Sequence, residues 1–329
     1  MSFANDIEQR IASEVKTEVL VDKERGHVER VLSVPYELTE FFPNMVKFLL
    51  STQRLIKKGI RLEGNRVIIP LRIGVFQGPV IPALRIFVLR EVQVLGDRVK
   101  FVDEGVGGAK SFLRLLHRTA PEKEFETVRV GKDEVHRYTA YYPILHKVVI
   151  GLDDTDTSSK GDTYLTALHI GRSIEAEGYG RFVKEMITFN YPRNPFKTTN
   201  NASSAMVFHV EPSRKTALIQ AVTDKAQEHS NSRETGLAVL SRLDIPPSLQ
   251  SYTRQCKSRM MDVSDTEHVA KTIGAQLLSF DQDRGKIGAL SSLGFVNQPG
   301  RAIAPSMKFR MMLRLGNIYV RGRDVFAGA

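Results

Sequence analysis

The feature that most constrains this chain is an apolar, strand-like run that ends in a group of carboxylates. Val148-Val149-Ile150 leads to Gly151, and Asp153, Asp154 and Asp156 follow directly after it. Such a strand is normally buried, and clustered anions at its end repel one another and cost free energy to desolvate unless a positive charge lies among them. Carboxylates suit a hard divalent cation, usually Mg²⁺ that is also bound to phosphate oxygens. The segment predicts a metal–phosphate site, and the alternative is an acidic turn that caps the next helix.

Composition restricts the class of protein. The chain has 329 residues, enough for two or three domains, and its 42% apolar and 26% charged residues are typical of a soluble globular protein. One cysteine, Cys256, excludes an internal disulfide and a multi-cysteine zinc or iron–sulfur site. The formal charge of +10 favours anionic partners such as nucleotides or RNA without specifying one. No secretion signal and no membrane-spanning apolar run is visible, so we expect a cytoplasmic protein without a membrane partner.

The first part of the chain, to residue 146, has a mixed pattern of strands and helices. Strands are predicted at residues 29–34, 66–71, 85–94 and 100–102, the last two on either side of the turn Gly96-Asp97. Apolar spacing predicts a helix within residues 36–58, and the two prolines of residues 78–82 predict a loop or a sheet edge. We therefore expect a mixed α+β domain at residues 1–146.

A glycine-rich loop at residues 104–111 precedes a predicted helix at residues 112–117. Glycines let backbone N–H groups approach a phosphate, and a helix N-terminus adds positive potential. The loop does not match the phosphate-binding P-loop, because Ala109 stands where glycine must precede Lys110-Ser111 and Glu104 stands at the first glycine position. A plain turn into a helix is the favoured interpretation.

From residue 147 onward, strands, loops and helices alternate. A helix with one apolar face is predicted after Gly161-Asp162-Thr163, and a later short helix opens at Arg284. Between them we predict a strand at residues 185–189, a polar loop at 190–201, a strand at 205–210, a helix at 213–229 and an apolar strand at 237–240. This pattern is typical of an α/β domain.

Five segments, in this order, resemble motifs of the catalytic kinase-type domain of the archaeal agmatidine synthetase, which modifies an isoleucine tRNA. They span about 140 residues and lie at 151–156 (Gly-Leu-Asp-Asp-Thr-Asp), 161–165, 190–201, 232–239 and 284–290 (Arg-Gly-Lys-Ile-Gly-Ala-Leu). The resemblance implies an α/β (α+β) fold in which residues 147–329 form an ATP-binding catalytic domain of this kinase-like type, preceded by the domain at 1–146, whose role is unknown.

The chain also departs from that synthetase. The synthetase has Met-Cys-Thr-Thr after its glycine and adds a zinc ribbon, whereas this chain has Asp162-Thr163-Tyr164 and too few cysteines for such a ribbon. The short Gly-x-Thr-aromatic segment and the Lys-Thr-Thr-Asn run at residues 197–200 are more similar to the methanogenesis marker protein 11 family. The chain is identified as a member or near neighbour of that family, which has no assigned reaction.

The resemblance implies roles for five side chains in phosphoryl transfer. Asp153, Asp154 and Asp156 would hold Mg²⁺ that bridges ATP phosphate oxygens, and Lys197 would neutralise phosphate charge. Thr163 would donate to a phosphate or accept the γ-phosphoryl group. The alternatives are an exposed surface lysine at position 197 and a simple helix N-cap at position 163.

A further set of residues would contact the nucleotide. Its members are Gly161, Asn190, Thr198, Asn200, Asn201, Gly285, Lys286 and Gly288. The asparagines could equally build the loop, and tight packing of a helix explains the two later glycines as well as a phosphate contact does. Glu234 is a weaker candidate for a metal contact or a base, with a surface position as the alternative.

The function predicted is that of an ATP- and Mg²⁺-dependent archaeal enzyme, a phosphotransferase or ligase. It would phosphorylate or adenylate an acceptor such as RNA, a small coenzyme precursor or a protein side chain. The alternative is a non-catalytic nucleotide sensor or assembly factor associated with methanogenesis. A third interpretation is RNA binding through the basic surface alone, which predicts an affinity that falls steeply with salt and ignores ATP.

Overall fold

The computed structural model describes residues 15–35, 44, 54–77, 87–107, 109–130, 133–198 and 200–304. The chain forms two compact units, Met1–His146 and Lys147–Ala329. Three sheets and a set of helices build them, so the predicted mixed α/β class is confirmed. None of the helices within the described ranges is long and apolar enough to cross a membrane.

The first sheet of the first unit has the strand order β1-β2-β4-β3. Its strands are β1 (Lys16–Asp22), β2 (His27–Ser33), β3 (Arg61–Glu63) and β4 (Arg66–Leu71). The strands predicted at residues 29–34 and 66–71 correspond to β2 and β4, whose side chains are almost all buried.

The helix predicted within residues 36–58 lies mostly outside the described residues, as does the proline-containing loop at 78–82. The last part of the helix prediction is wrong, because residues 54–58 are not helical. Ile56 instead forms an isolated bridge with Leu71, and the Lys57 amide donates to the Pro70 carbonyl at 2.9 Å. Pairing with the edge of β4 outweighs the local helical spacing at this point.

The second sheet of the first unit has the order β5-β6-β7-β9-β8. Its strands are β5 (Gly74–Val75), β6 (Phe87–Leu95), β7 (Arg98–Val106), β8 (Glu122–Val130) and β9 (Asp133–Pro143). The hairpin predicted around Gly96-Asp97 is confirmed by the antiparallel pairing of β6 with β7. In the glycine-rich segment, β7 ends at Val106 and helix α1 (Ala109–Leu116) begins three residues before the predicted start, with Gly107 in a turn and Gly108 outside the described residues.

The second unit, in its described residues, forms a sheet with the order β11-β12-β10-β13-β14. Its strands are β10 (His146–Asp153), β11 (Arg181–Phe189), β12 (Ala202–Val210), β13 (Gly236–Leu240) and β14 (Gln276–Ser279). Its helices are α2 (Thr163–Ala176), α3 (Lys215–His229), α4 (Pro247–Cys256), α5 (Val263–Ile273), α6 (Gly285–Leu293) and α7 (Pro299–Ile303). The strands predicted at 185–189 and 205–210 are longer than expected, and a 3-10 turn at Pro212–Arg214 replaces the start of the helix predicted at 213–229.

The central strand β10 is covered on both faces, which explains its continuous apolar sequence. Val148, Ile150 and Leu152 pack with the apolar sides of α2 and α3, whereas Val149 packs with residues of α4, α5 and α6. Helix α6 crosses so closely that a Cβ on Gly151 would overlap with the Ala289 carbonyl. This crossing brings the start of α6 to the carboxyl end of β10.

Candidate functional site

The strand β10 ends at two adjacent carboxylates in different backbone conformations. Asp153 is the last residue of the strand, pairs with Gly236 of β13, and is buried. Asp154 has φ +53°, in the left-handed region that aspartate tolerates better than most residues. A left-handed residue directly after a strand turns the chain sharply, so the acidic segment leaves the sheet at this point.

The two carboxylates are poorly neutralised by the protein. Burial raises the pKa of Asp153 well above its usual value, and the neighbouring charge of Asp154 adds to the effect. Burial also raises the pKa of Asp154 to about 6, against the opposing charge of the Arg284 guanidinium. A bound cation would favour the ionised form of both groups.

The carboxylate oxygens of Asp153 and Asp154 suit a hard cation that takes only some of its ligands from the protein. Gly288 packs against the Asp153 carboxylate, and a Cβ at this position would overlap with its Oδ2 atom. Within the described ranges, no three His, Cys, Asp or Glu side chains converge as a ready metal site. A metal at Asp153 and Asp154 would therefore complete its shell with water or phosphate oxygens, as Mg²⁺ usually does.

The third carboxylate, Asp156, is held by two threonine hydroxyls. Thr163 donates to Asp156 Oδ1 at 3.0 Å, and Thr198 donates to Oδ2 at 2.8 Å. Thr163 is buried and also accepts a hydrogen bond from the Thr155 hydroxyl at 3.1 Å. Both oxygens of Asp156 are thus engaged, and its role as a metal ligand remains a prediction.

The alternative interpretation of Thr163 as the N-cap of α2 is wrong. The N-cap is Asp162, whose Oδ1 accepts from the Leu165 amide at 2.9 Å. Gly161 precedes this cap with φ +92°, a conformation that favours glycine, and a Cβ at this position would lie 3.2 Å from the Cβ of Asp156. The hydroxyl of Thr163 is therefore directed to the acidic loop and not to its own helix.

An open cleft of about 280 Å³ lies beside Asp153 and Asp154. Three further segments line it: the β11–β12 loop, the connection between α4 and α5, and the start of α6. The other lining residues are Asn190, Tyr191, Asn194, Phe196, Asn201, Cys256, Arg259, Met260, Met261, Asp262, Val263, Arg284, Ile287 and Gly288. The cleft combines paired anions, two arginines and exposed apolar side chains, so it can bind a ligand that has both anionic and apolar parts.

Arg284 is a cation of the cleft that the motif analysis did not single out. Its Nη2 lies 3.2 Å from Glu234 Oε1, and its guanidinium lies 4.6 Å from the centre of the Phe196 ring. These two contacts hold a planar cation in the same cleft as the carboxylate pair, where its charge acts on both carboxylates. The sequence signal for Arg284 is a basic residue directly before the Gly-x-x-Gly segment. Glu234, the weaker candidate for a metal contact or a base, forms an ion pair with this arginine.

The predicted site residues of the polar β11–β12 loop differ in their position relative to the cleft. Asn190 is buried, with its amide donating to Ser203 Oγ at 3.0 Å and its carbonyl accepting from Ser291 Oγ at 2.7 Å, so it supports the cleft from inside. Asn201 lines the cleft and donates to the Tyr191 carbonyl at 2.8 Å. Thr198 binds Asp156, whereas Lys197 and Asn200 are exposed on the loop and do not line the cleft.

The segment at the start of α6 is mainly a packing element. The Gly285 amide donates to the Glu234 carbonyl at 3.0 Å, and a Cβ at Gly285 would overlap with that oxygen. Lys286 is paired with Asp283 at 2.7 Å and with Glu267 at 3.4 Å. Gly285 thus agrees with the tight-packing alternative, and of the three predicted residues Gly285, Lys286 and Gly288, only Gly288 lines the cleft.

Comparison with known proteins places the chain among archaeal relatives. No family model matches it. The uncharacterized protein MJ0921 of Methanocaldococcus jannaschii is 31% identical over 252 residues, which cover 74% of this chain and 81% of that protein. The chain therefore belongs to the same family as MJ0921.

A more distant relationship joins the chain to larger proteins. The tRNA 2-agmatinylcytidine synthetase TiaS of Thermococcus sibiricus is 31% identical over 153 residues, which cover 45% of this chain and 35% of that enzyme. The chain thus spans about a third of this relative's length. A crystal structure of TiaS in complex with its tRNA and ATP matches 45% of this chain and 36% of that one, with a TM-score of 0.42 and 21% identity. The resemblance to the agmatidine synthetase is confirmed, and membership of the methanogenesis marker family remains a prediction.

Proposed function

We propose that this member of the MJ0921 family binds ATP with a divalent cation in the cleft beside Asp153 and Asp154, and transfers a phosphoryl or adenylyl group to an acceptor. The observation that carries the proposal is the adjacent pair of carboxylates on buried Asp153 and half-buried Asp154, whose charge the protein leaves poorly neutralised. A structural role gives no reason to withdraw two adjacent carboxylates from water, because each loses hydration free energy.

The sequence relationship to TiaS supports the choice of nucleotide. TiaS is named as a synthetase of 2-agmatinylcytidine in a tRNA, and it has been crystallised with ATP. Since the chain matches only 35% of the length of that relative, its acceptor need not be the same. The candidates are RNA, a small coenzyme precursor and a protein side chain. The net charge of +10 favours an anionic acceptor.

The cation that best suits the site is Mg²⁺, held by Asp153 and Asp154 together with phosphate oxygens. When bound, it would neutralise charge on the transferred phosphate. Arg284, which lines the same cleft, would contact the phosphates. Lys197 would approach them only if the β11–β12 loop moves inward, because its side chain is exposed and does not line the cleft. The Asp156 carboxylate would hold and orient the Thr163 hydroxyl.

Phosphoryl transfer can be tested with γ-labelled ATP. Purified protein with Mg²⁺ should release phosphate slowly or label itself, and total RNA or fractionated cell extract should provide a faster acceptor. EDTA and Asp154→Asn should abolish both signals. If the label is on Thr163, Thr163→Ala removes it and leaves ATP binding within about tenfold, because one neutral hydroxyl contributes modestly. ATP binding without any turnover in these assays would favour the non-catalytic sensor or assembly factor.

A further inference from the structure

Asp154 holds a backbone conformation that needs support from its surroundings. Among the residues that the structure describes, it is the only one other than glycine with a positive φ. Residues with a Cβ pay a conformational penalty in the left-handed region, and they persist there when neighbouring groups determine the geometry. The contacts around Asp154 show which groups do so.

The support comes from the connection between α3 and β13, residues 230–235. Thr235 Oγ1 donates to the Asp154 carbonyl at 2.8 Å, and the Asn231 amide donates to the Thr155 carbonyl at 2.8 Å. Two consecutive carbonyls of the acidic turn are thus held by one loop. Because the peptide carbonyl of Asp154 is fixed on one side and β10 is fixed on the other, the direction of the Asp154 side chain is also set.

Thr235 is itself well fixed. It is completely buried, and its Oγ1 also contacts Ser230 Oγ. With Ser230 as the donor in that contact, the single Thr235 proton goes to a carbonyl, and the Asp154 carbonyl at 2.8 Å is closer than the Ser232 carbonyl at 3.2 Å. The adjacent residue, Glu234, pairs with Arg284. One short loop therefore anchors both the carboxylate turn and the arginine that lines the same cleft.

We infer that Thr235 is a positioning residue that holds Asp154 in its left-handed conformation and thereby directs the Asp154 carboxylate, beside Asp153, toward a divalent cation. This inference rests on the proposed function for the identity of the ligand. The role requires the hydroxyl group of Thr235, since the hydroxyl donates the hydrogen bond to the Asp154 carbonyl.

The chain offers a matched control for a purely structural effect. Thr253 is also completely buried, and its hydroxyl donates to the Ser291 carbonyl at the same 2.8 Å. It does not line the cleft. Thr253→Val and Thr235→Val therefore remove the same type of bond, and both should lower the melting temperature. Only the second should change metal binding.

The test measures Mn²⁺ binding by electron paramagnetic resonance, with and without ATP, for wild type, Thr235→Val, Thr235→Ser and Thr253→Val. We expect Thr235→Val to weaken Mn²⁺ binding about tenfold, equivalent to about 1.4 kcal/mol. Thr235→Ser, which keeps the hydroxyl, should remain within about threefold of wild type, and Thr253→Val should bind as wild type does. Unchanged binding by Thr235→Val, or an equal loss in Thr253→Val, would overturn the inference.

A crystal structure of Thr235→Val separates this inference from the proposed function. We expect φ of Asp154 to leave the positive region when the hydroxyl is absent. An unchanged positive φ would overturn the positioning role even if the metal site is real. Wild-type protein that binds neither Mn²⁺ nor Mn²⁺ with ATP would instead overturn the proposed function, and the metal-directed part of this inference with it.

Discussion

Gly288 lies directly against the carboxylate of Asp153, so the first turn of α6 forms one wall of the site. This contact is possible only without a side chain at position 288, because a Cβ there would occupy the space of Oδ2. The glycine thus lets α6 pack at the end of β10 while the carboxylate remains at the edge of the cleft.

Gly288→Ala should therefore disturb the metal and nucleotide site. The added methyl must displace either the Asp153 carboxylate or α6, and we expect a loss of about 1–3 kcal/mol in the free energy of unfolding and at least a tenfold weaker affinity for ATP with Mg²⁺. Gly300→Ala is the control, because a Cβ at Gly300 meets nothing within 4 Å. Urea denaturation and calorimetry measure the two effects, and wild-type affinity in Gly288→Ala would contradict the importance of this contact.

Arg284→Ala should weaken ATP binding by about tenfold, because a charge-assisted contact with phosphate is lost together with the stacking on Phe196. Arg233→Ala is a control from the same region, since Arg233 is exposed and pairs only with Asp281 among the described contacts. Fluorescence titration with a labelled ATP analogue compares the two variants. An equal effect of both substitutions would indicate a general loss of positive charge and not a specific contact.

A pH-dependent stability is expected from Glu185 on β11. Burial raises the pKa of Glu185 to about 7 from 4.5, with a smaller contribution from the charge of Asp162. A folded-state pKa above the unfolded value means that folding takes up a proton between these values. The contribution of protonated Glu185 to the free energy of unfolding is therefore present in full below about pH 4.5 and is lost as the pH rises through 7.

Glu185→Gln should remove this dependence. At pH 8 the variant should be about 1–2 kcal/mol more stable than wild type, after allowance for partial solvent screening, and at pH 4 the two should be equal. Glu175→Gln, at an exposed position of α2, should not change the stability at either pH. Thermal denaturation across this range checks the result, and a stability gain in Glu185→Gln that is the same at both pH values would exclude titration of Glu185 as its cause.

The strand end with its carboxylates could be predicted from the sequence because its signals are local. An uninterrupted apolar run followed by Asp153 and Asp154 requires a buried strand and an acidic turn, and the structure has both. The N-cap of α2 was also within reach, since Asp162 caps a helix as well as Thr163 does. In these cases the neighbouring residues in the sequence are sufficient to predict the local structure.

Other parts of the site depend on contacts between distant segments. Lys286 resembles a phosphate ligand in the sequence, but the packing of α5 beside α6 gives it Glu267 as a partner. Asn190 lies in a polar loop motif, and only the approach of Ser291 shows that it is an interior residue. The pairing of Arg284 with Glu234 has the same origin. No periodicity or spacing encodes such partners.

The most direct test of the proposed site is calorimetry of ATP binding to wild type, Asp153→Asn and Asp154→Asn, each with Mg²⁺ and with EDTA. Asp224→Asn, at an exposed position of α3, serves as the charge-matched control. We expect wild type and the control to bind ATP only in the presence of Mg²⁺, and both site variants to lose this binding, because each removes a carboxylate that the cation needs. Equal binding by all four proteins in EDTA would contradict a metal-dependent nucleotide site at Asp153 and Asp154.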